Sequence, residues 1–363
     1  MNKPKILAFY LPQYHRTPEN DQWWGVGFTE WTNVAKARPL FKGHEQPKIP
    51  SELGFYDLTN PAIRKEQAEL AKKYGVDGFC YWHYWFGNGK RLLYRPFEDV
   101  LKTGEPDFPF CLAWANHSWE KKLFDKKGNS TMLQEQLYPG VEDYRNHFYA
   151  MLPAFKDNRY IKVENKILFF VFSPTDNPEI KTFIKTWREL AKENGINDFF
   201  FVGNNLDNSH YETIMSYGFD AVYNNNMYHI YHHQTPFMKF KQGVLRRILH
   251  RPTVFNYRDA AKVSITDDDK KEDAFPMVYP NWDHSPRSGG NGIIFKNAKP
   301  AYFKDMVKKA ITYVQNKKNE RQIIVIKSWN EWGEGNYMEP DIKYGRGYLE
   351  ALYQALKETG CID

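Results

Sequence analysis

Cysteine is scarce in this sequence, and its scarcity narrows the chemistry available to the chain. The three cysteines among 363 residues form neither a disulfide framework nor a metal-ligand spacing. Cys80 and Cys111 lie inside apolar runs and are interpreted as buried thiols, and Cys361 lies near the C-terminus. We expect no bound cofactor.

Long hydrophobic runs are also missing. No window approaches the roughly 20 apolar residues that a membrane span requires. The first stretch, MNKPKILAFYLPQYH, passes quickly into Pro, Gln and His without the cleavage site of a signal peptide. We therefore expect no integral membrane segment and a cytoplasmic protein, or a periplasmic one if a leader was removed from this sequence.

The sequence has no long block of one charge. The net charge of +6 arises from 50 Lys and Arg against 44 Asp and Glu, and the basic clusters KKLFDKK and LRRILHR are short. Such clusters are interpreted as solvated faces, so no nucleic-acid partner is expected. Aromatic residues, in contrast, are abundant at 17%. Their number exceeds what a core needs, and flat rings suit stacking on sugars or bases.

Short apolar runs alternate with helix-periodic segments, which predicts an α/β protein. Eight strand–helix units indicate a (β/α)8 TIM barrel forming a single domain over residues 1–363, with long loops at about 11–60, 116–141 and 225–255. A doubly wound open sheet is the alternative, but FYLPQYH lacks the glycine-rich turn expected there. Strands are predicted at 5–10, 76–82, 108–115, 166–172, 198–204, 219–224, 275–280 and 322–328, and helices include 61–74, 142–155, 178–194, 300–316 and 347–358.

Polar and aromatic residues cluster just after the predicted strands, whereas the junctions from helix to strand carry no such clusters. This asymmetry predicts a ring-lined polar pocket at the C-terminal end of the barrel. Rings stack on sugar faces while amides, imidazoles and carboxylates bind hydroxyls, although rings that merely cap the barrel and asparagines that form turns are the alternative. The predicted substrate-binding residues at strand ends are Tyr10, Gln13, His83, Tyr84, Trp114, Asn116, His117, Trp119, Asn204, Tyr279, Trp282, Asp283 and Asn330.

Two glutamates crowd the end of the last strand in IIVIKSWNEWGEGNYMEPD. A buried carboxylate is unfavourable by several kcal/mol unless it is paired, so a purely structural segment has little reason to carry two. Glu331 and Glu334 are the predicted catalytic pair, one protonating a glycosidic oxygen and the other acting on the opposite side. The alternative is a helix-terminal acid, or a salt bridge to Lys327 or Arg346.

Two other catalytic chemistries find little support. No G-x-S-x-G elbow is present for a Ser/His/Asp triad. The run HIYHH, with His229, His232 and His233, has no carboxylate or cysteine partner nearby in sequence and is interpreted as an exposed loop. No metal is therefore expected. The basic, ring-bearing segment 229–251 is predicted to be mobile or to form a lid over the pocket.

The chain resembles the WbsX family, described as glycosyltransferases of surface-polysaccharide gene clusters, and through it the family 99 glycoside hydrolases. The resemblance covers almost the whole chain in the motifs YLPQYH, NDQWWGVGFTEWTNVAKARPLFKGHEQP, LGFYDL, GFCYWHYWFGNGKRLL, FCLAWANHSW, YPNWDHSPR and SWNEWGEGNYMEPD. These motifs add Glu30, Trp31, Arg287 and Tyr337 to the substrate-binding candidates.

The resemblance implies a barrel and a specific role for each glutamate. Glu331 would act as a base on the sugar 2-hydroxyl, which attacks its own anomeric carbon to give a 1,2-anhydro intermediate. Glu334 would be the acid and then the base at the leaving oxygen. The WbsX pattern reads WANENW where this chain reads WANHSW, so His117 replaces a glutamate, which bears on the sugar bound more than on the reaction.

Three functions of different classes follow. The first is a retaining glycoside hydrolase acting on an oligosaccharide or polysaccharide. The second is a glycosyltransferase of O-antigen or capsular polysaccharide assembly, although no D-x-D motif or glycine-rich phosphate loop follows a strand and TDDDK is interpreted as a solvated loop. The third is a non-catalytic glycan-binding barrel, against which the intact glutamate pair argues.

Overall fold

Eight parallel strands close into a barrel in the computed structural model, which describes residues 2–122, 130–249 and 251–363. Each strand pairs with its neighbours in sequence, and β1 closes the ring by pairing with both β2 and β8. The predicted (β/α)8 barrel is therefore confirmed. The strands are β1 (Lys5–Tyr10), β2 (Gly78–Trp85), β3 (Phe110–Trp114), β4 (Lys166–Val171), β5 (Phe199–Leu206), β6 (Ala221–Asn225), β7 (Ala274–Val278) and β8 (Ile323–Ile326).

Helices connect the strands and cover the outside of the barrel. Proline at the first position marks several of their starts, as at α3, where the Asn60 side chain also caps the Ala62 backbone N–H. The helices are α1 (Pro18–Trp24), α2 (Glu30–Lys36), α3 (Pro61–Lys73), α4 (Arg95–Thr103), α5 (Val141–Phe155), α6 (Ile180–Glu193), α7 (Tyr211–Ser216), α8 (Pro236–Leu249), α9 (Tyr257–Ser264), α10 (Ser285–Ser288), α11 (Pro300–Val314) and α12 (Gly347–Glu358). None of those in the described ranges combines the length and hydropathy needed to cross a bilayer.

Much of the aromatic content fills the core. Inside the barrel, Phe9 stacks on Trp82 with ring centroids 4.4 Å apart. Outside it, the fully buried Trp187 of α6 lies 4.6 Å from Phe183 and 4.8 Å from Phe169. The indole N–H of Trp187 donates to the Tyr144 carbonyl at 3.0 Å. The abundance of rings is therefore largely a packing property.

Long connections cover the C-terminal ends of the strands. The β1 connection carries α1 and α2, and the β3 connection contains the antiparallel strands Trp119–Lys122 and Ser130–Gln134. Segment 229–251, expected to be a loop, instead contains a 3₁₀ turn, His229–His233, and helix α8. Its action as a lid stays a prediction. The remaining short elements are the strands Arg91–Leu92, Lys162–Val163, Thr253–Asn256, Ile293–Lys296, Asn330–Glu331 and Asn336–Tyr337 and the 3₁₀ turns Asp267–Lys270, Gly289–Asn291, Asn319–Arg321 and Trp332–Glu334.

The ring cluster around Trp187 is expected to dominate local stability. Trp187→Ala removes a fully buried indole and its hydrogen bond, so we expect a loss of about 3–5 kcal/mol in the free energy of unfolding. The matched change Phe237→Ala removes a ring that is 72% exposed and should stay within about 0.5 kcal/mol of wild type. Urea unfolding followed by tryptophan fluorescence and circular dichroism measures both, and equal effects would show that the cluster is not a centre of stability.

Candidate active site

A tight reversal after β8 brings the two predicted catalytic glutamates together. Residues Asn330–Glu331 pair antiparallel with Asn336–Tyr337, and Gly335 allows the turn by adopting a positive φ of 59°. The Asn330 side chain accepts from the Leu11 backbone N–H at 2.8 Å and donates to the Leu11 carbonyl at 3.0 Å. These bonds fasten the turn to the end of β1, at the mouth of the barrel.

One guanidinium joins the glutamates. Nη1 of Arg287, in the short helix α10, donates to Oε1 of Glu331 at 3.1 Å and to Oε1 of Glu334 at 2.6 Å. Its Nε donates to Oε1 of Glu30 at 2.8 Å. Arg287 therefore bridges three largely buried carboxylates that come from the connections after β1 and β8. Such charges are tolerated in the interior only when they are paired in this way.

The two glutamates differ in acidity. Burial, and then the charge of Glu334, raise the pKa of Glu331 to about 7. Burial alone would also raise the pKa of Glu334, but Arg287 and then His284 outweigh it and hold that pKa at about 2. Between these values the pair carries one proton, and the charge of Arg287, which lies closer to Glu334, favours that proton on Glu331. This is the reverse of the distribution that the family resemblance implies for the start of the reaction.

Tyrosine and tryptophan rings form the wall beside the pair. Burial, and then the charge of Glu331, raise the pKa of Tyr84, whereas for Tyr228 the charge of Glu334 adds to burial. Trp119 packs edge-on against Tyr84 at 5.1 Å. Trp282 stacks on His284 at 5.7 Å. Flat faces next to paired carboxylates suit the stacking of a sugar ring.

Several buried polar atoms at the barrel mouth have no hydrogen-bond partner among the described residues. They include Oδ1 of Asn204, Oδ1 of Asn225, Nδ1 of His117 and Nε1 of Trp282. An unsatisfied buried polar atom is unfavourable, so each of these calls for a partner that the protein does not supply. Sugar hydroxyls, which both donate and accept, match this mixture of acceptors and donors.

Three predicted substrate-binding residues face away from the mouth. Successive side chains of a strand alternate between the two faces of the sheet, and the polar–aromatic pattern at strand ends does not reveal which face each one takes. Tyr10 donates to Gln67 at 2.6 Å, His83 lies 2.8 Å from His147 between ring nitrogens, and Trp114 donates to the Trp85 carbonyl at 2.9 Å. The prediction that Tyr10, His83 and Trp114 line the pocket is wrong, because they pack between barrel and helices.

A second group of predicted residues supports the site through contacts within the protein. Each of them is buried with its polar atoms engaged by neighbouring residues, or packs against other rings. Asn116 forms hydrogen bonds with both backbone groups of Ser173, and Asn330 forms hydrogen bonds with the Leu11 backbone. Asp283 accepts from Gln46 and Ser285 and contacts His44, and Trp31 donates to the Tyr56 carbonyl. Tyr337 stacks on Trp332, and Tyr279 packs on Tyr257 and Phe295. These residues position the loops and are not placed to bind a sugar directly.

The remaining predicted residues stay candidates for substrate contact. They lie at or beside the mouth and comprise Gln13, Glu30, Tyr84, His117, Trp119, Asn204, Trp282 and Arg287. Sequence reasoning did not select Tyr228 or His284 as substrate-binding residues, and it considered Lys327 only as a salt-bridge partner of the glutamates. All three follow strand ends, where the polar and aromatic pattern is found. It also missed Asp207, which contacts His229 and His232 and gives the histidine run a carboxylate neighbour.

Of the two basic partners considered for the glutamates, Lys327 is close enough for its charge to lower the pKa of both carboxyl groups. Arg346, the other partner considered, forms its ion pair with Glu52 at 2.6 Å instead. Glu339 accepts from the indole N–H of Trp332 at 2.6 Å and from Tyr56 at 2.8 Å. Burial raises the pKa of Glu339 to about 7. Glu339 therefore fixes Trp332, and with it the turn that carries Glu331 and Glu334.

The C-terminal mouth of the barrel thus combines paired carboxylates with aromatic rings. The chain belongs to the family described as Glycosyltransferase WbsX, whose model matches residues 6–352.

Relatives and solved structures agree with this placement. The chain is 34% identical over 359 residues to the uncharacterized protein WxcX of Xanthomonas campestris pv. campestris strain B100, a match covering 97% of this chain and 49% of WxcX. It thus spans about half the length of the curated relatives it matches. A GH99 endo-α-mannosidase from Bacteroides thetaiotaomicron is 16% identical with a TM-score of 0.59, covering 99% of this chain and 98% of that one. A glycoside hydrolase-like protein is 13% identical with a TM-score of 0.62, covering 98% and 94%. At these identities the likeness establishes a shared fold.

Gly333, between the two glutamates, is expected to tolerate no side chain. A Cβ built there overlaps the Glu30 carboxylate and lies 3.0 Å from Nε of Arg287. Gly333→Ala should therefore destabilise the protein by about 1–3 kcal/mol, because the Glu30–Arg287 pair must move. Gly243→Ala, in helix α8 with nothing within 4 Å, is the control and should be neutral or slightly stabilising. Urea unfolding of both variants tests this, and a Gly333→Ala protein as stable as wild type would contradict the close packing.

Proposed function

We propose that this chain is a retaining glycoside hydrolase that cleaves a complex or surface oligosaccharide or polysaccharide through Glu331 and Glu334. The observation that carries the proposal is the bridging of both carboxylates by one nitrogen of Arg287. The rings and unsatisfied amides around the pair support a glycan substrate.

The bridging supports retention through the distance that it allows. Two oxygens within 3.1 Å of the same nitrogen cannot lie as far apart as the roughly 6.5–9.5 Å typical of inverting enzymes. Inverting enzymes need that space for a water molecule on the face opposite the leaving group. The closer spacing of this pair suits a reaction in which the first attack comes from within the substrate or the protein.

The proposed reaction has two steps. In the first, Glu331 removes the proton from the sugar 2-hydroxyl and the 2-oxygen bonds to the anomeric carbon. The bond from that carbon to the leaving oxygen breaks, and the leaving oxygen takes a proton from Glu334. In the second, Glu334 removes a proton from water, water opens the 1,2-anhydro ring at the anomeric carbon, and Glu331 returns its proton to the 2-oxygen. Two inversions give net retention, and both glutamates end as they began.

This sequence needs the shared proton on Glu334 when cleavage starts, whereas the charges around the pair favour it on Glu331. We infer that substrate binding shifts the guanidinium toward Glu331. Arg287 already contacts both carboxylates, with the shorter bond to Glu334. Strengthening the contact with Glu331 lowers its pKa, and weakening the contact with Glu334 raises that of Glu334. A small movement of one side chain thereby places the proton for catalysis.

A glycosyltransferase is the second candidate, and the description of the family favours it. Both activities make or break a bond at an anomeric carbon, so a barrel with this site does not by itself separate them. The discriminating experiment is a hydrolysis screen over α- and β-linked oligosaccharides and polysaccharides, analysed by product and run beside Glu334→Gln. Products that require wild-type Glu334 support hydrolysis. Activity only with an added activated sugar donor would support transfer.

Glu334 is expected to matter most for poor leaving groups. A sugar leaving group needs a proton in the transition state, and general-acid help is typically a factor of about 10²–10⁴. Glu334→Gln should therefore lower kcat/KM by that factor on a natural linkage and far less on a dinitrophenyl glycoside. Glu331→Gln should impair both substrates, because it removes activation of the 2-hydroxyl.

Steady-state kinetics of both variants on both substrates, with NMR of the first-formed anomer, provide the measurement. An inverted product would contradict the mechanism. Rescue of Glu331→Gln rather than Glu334→Gln by the activated substrate would assign Glu331 as the acid, in line with its raised pKa. A substrate methylated at the 2-hydroxyl should resist cleavage, whereas its rapid hydrolysis would exclude the anhydro route.

The pH profile should report the shared proton. Below the raised pKa of Glu331, about 7, the free pair carries one proton and can supply both an acid and a base. Above it the pair loses that proton, so kcat/KM is expected to fall on an alkaline limb near pH 7. Initial rates between pH 4 and 9 on a natural linkage test this. Constant activity up to pH 9 would show that no proton of the pair is required.

A further inference from the structure

A second cluster of titratable side chains lies on the rim of the barrel, apart from the glutamate pair. Asp207 follows β5, while His229 and His232 belong to the 3₁₀ turn after β6. Nδ1 of His229 lies 2.9 Å from Oδ1 of Asp207, and Nε2 of His232 contacts the other carboxylate oxygen. The ligand-type atoms of all three residues lie within 4.8 Å of one another.

The backbone directs these side chains to one point. Asp207 has a φ of +53°, an uncommon conformation for a residue with a side chain. His229 and His232 are three residues apart in a 3₁₀ turn, where positions i and i+3 lie on the same side. The carboxylate comes from a connection more than 20 residues earlier, so only the fold brings it to the histidines. The sequence alone therefore suggested no site here.

We propose that Asp207, His229 and His232 bind one divalent transition-metal ion, with Zn²⁺ as the best match. Imidazole nitrogens and a carboxylate oxygen are typical zinc ligands, at about 2.0–2.2 Å from the metal. Three such ligands with water in the fourth position complete a tetrahedral ion. The His232 side chain is 61% exposed, so the ion can reach the site from solvent and small rotations can close the ligand set.

The alternative explanation of this cluster is that the Asp207 carboxylate accepts a hydrogen bond from an N–H of each imidazole. That arrangement requires a proton on both nitrogens that face Asp207. A metal ion takes the place of those protons and uses the same atoms, so the two accounts make opposite predictions for metal affinity. The three side chains are partly exposed or exposed, which leaves them less constrained than a buried hydrogen-bonded trio would be.

Metal binding here would act on the wall of the candidate active site. Tyr228 directly precedes His229, and its ring meets Trp282 edge-on at 5.9 Å. An ion that joins Asp207 to the 3₁₀ turn fastens the β5 connection to the β6 connection and thereby fixes Tyr228. The ion would have a structural role at the rim, joining two connections, and would take no part in the cleavage of the glycosidic bond. The proposal does not depend on the proposed hydrolase activity.

The test is isothermal titration of chelator-treated protein with Zn²⁺, compared with Asp207→Asn and His232→Ala. Wild type should bind one equivalent, and each variant should bind at least about tenfold more weakly, since losing even an outer-shell partner of a metal site typically weakens affinity 10–100-fold. His233→Ala is the matched control, because it removes an adjacent exposed imidazole outside the ligand group, and its affinity should stay within about twofold. Circular dichroism establishes that each variant is folded.

A second readout is the visible absorption of Co²⁺ in the same site, which should show tetrahedral coordination in wild type and be lost in Asp207→Asn. Absence of saturable binding to wild type would overturn the proposal and leave a hydrogen-bonded trio. Unchanged affinity in Asp207→Asn, or equal weakening in His233→Ala, would also overturn it, because either result indicates nonspecific binding to a histidine-rich surface.

Discussion

The ion pairing of Arg287 is the interaction on which the arrangement of the candidate active site depends. A single guanidinium neutralises part of the charge on Glu30, Glu331 and Glu334, three carboxylates that could not be buried together without it. These glutamates lie on the connections after β1 and β8, and Arg287 lies on the connection after β7. The pairing therefore joins three connections at the mouth of the barrel and lowers the pKa of both glutamates of the pair, with the stronger effect on Glu334.

The surrounding structure keeps this pairing in place. Asp283 fixes the start of α10 by accepting from Ser285 and Gln46, so Arg287 enters the site from a defined position. Glu339 fixes Trp332 by accepting a hydrogen bond from its indole N–H. Gly333 leaves room for the Glu30 carboxylate, which packs where a side chain would lie. The run of Asn, Glu, Trp, Gly and Glu after β8 is thus explained by a distinct physical requirement at each position within one small volume.

The fold was predictable from the sequence because each barrel strand is a short, nearly continuous apolar run, as at Lys166–Val171 and Ile323–Ile326. The meeting of Glu331 and Glu334 in one buried place was predictable because two carboxylates beside a buried strand need a reason to be there. The sheet face onto which Tyr10, His83 and Trp114 project was not predictable, because a one-residue difference in strand register reverses it. The partners of Arg287, and the meeting of Asp207 with His229, were not predictable either, because they join loops far apart in the chain.

The central claim, that Arg287 controls the proton shared by the glutamates, is tested most directly by ¹³C NMR titration of glutamate-labelled protein. Glu331→Gln and Glu334→Gln assign the two carboxyl signals, and wild type should show the Glu331 carboxyl titrating near pH 7 with Glu334 charged down to about pH 2. In Arg287→Met, loss of the positive charge should raise the pKa of Glu334, whereas Arg287→Lys should largely preserve it. An unchanged titration of Glu334 in folded Arg287→Met would contradict the account.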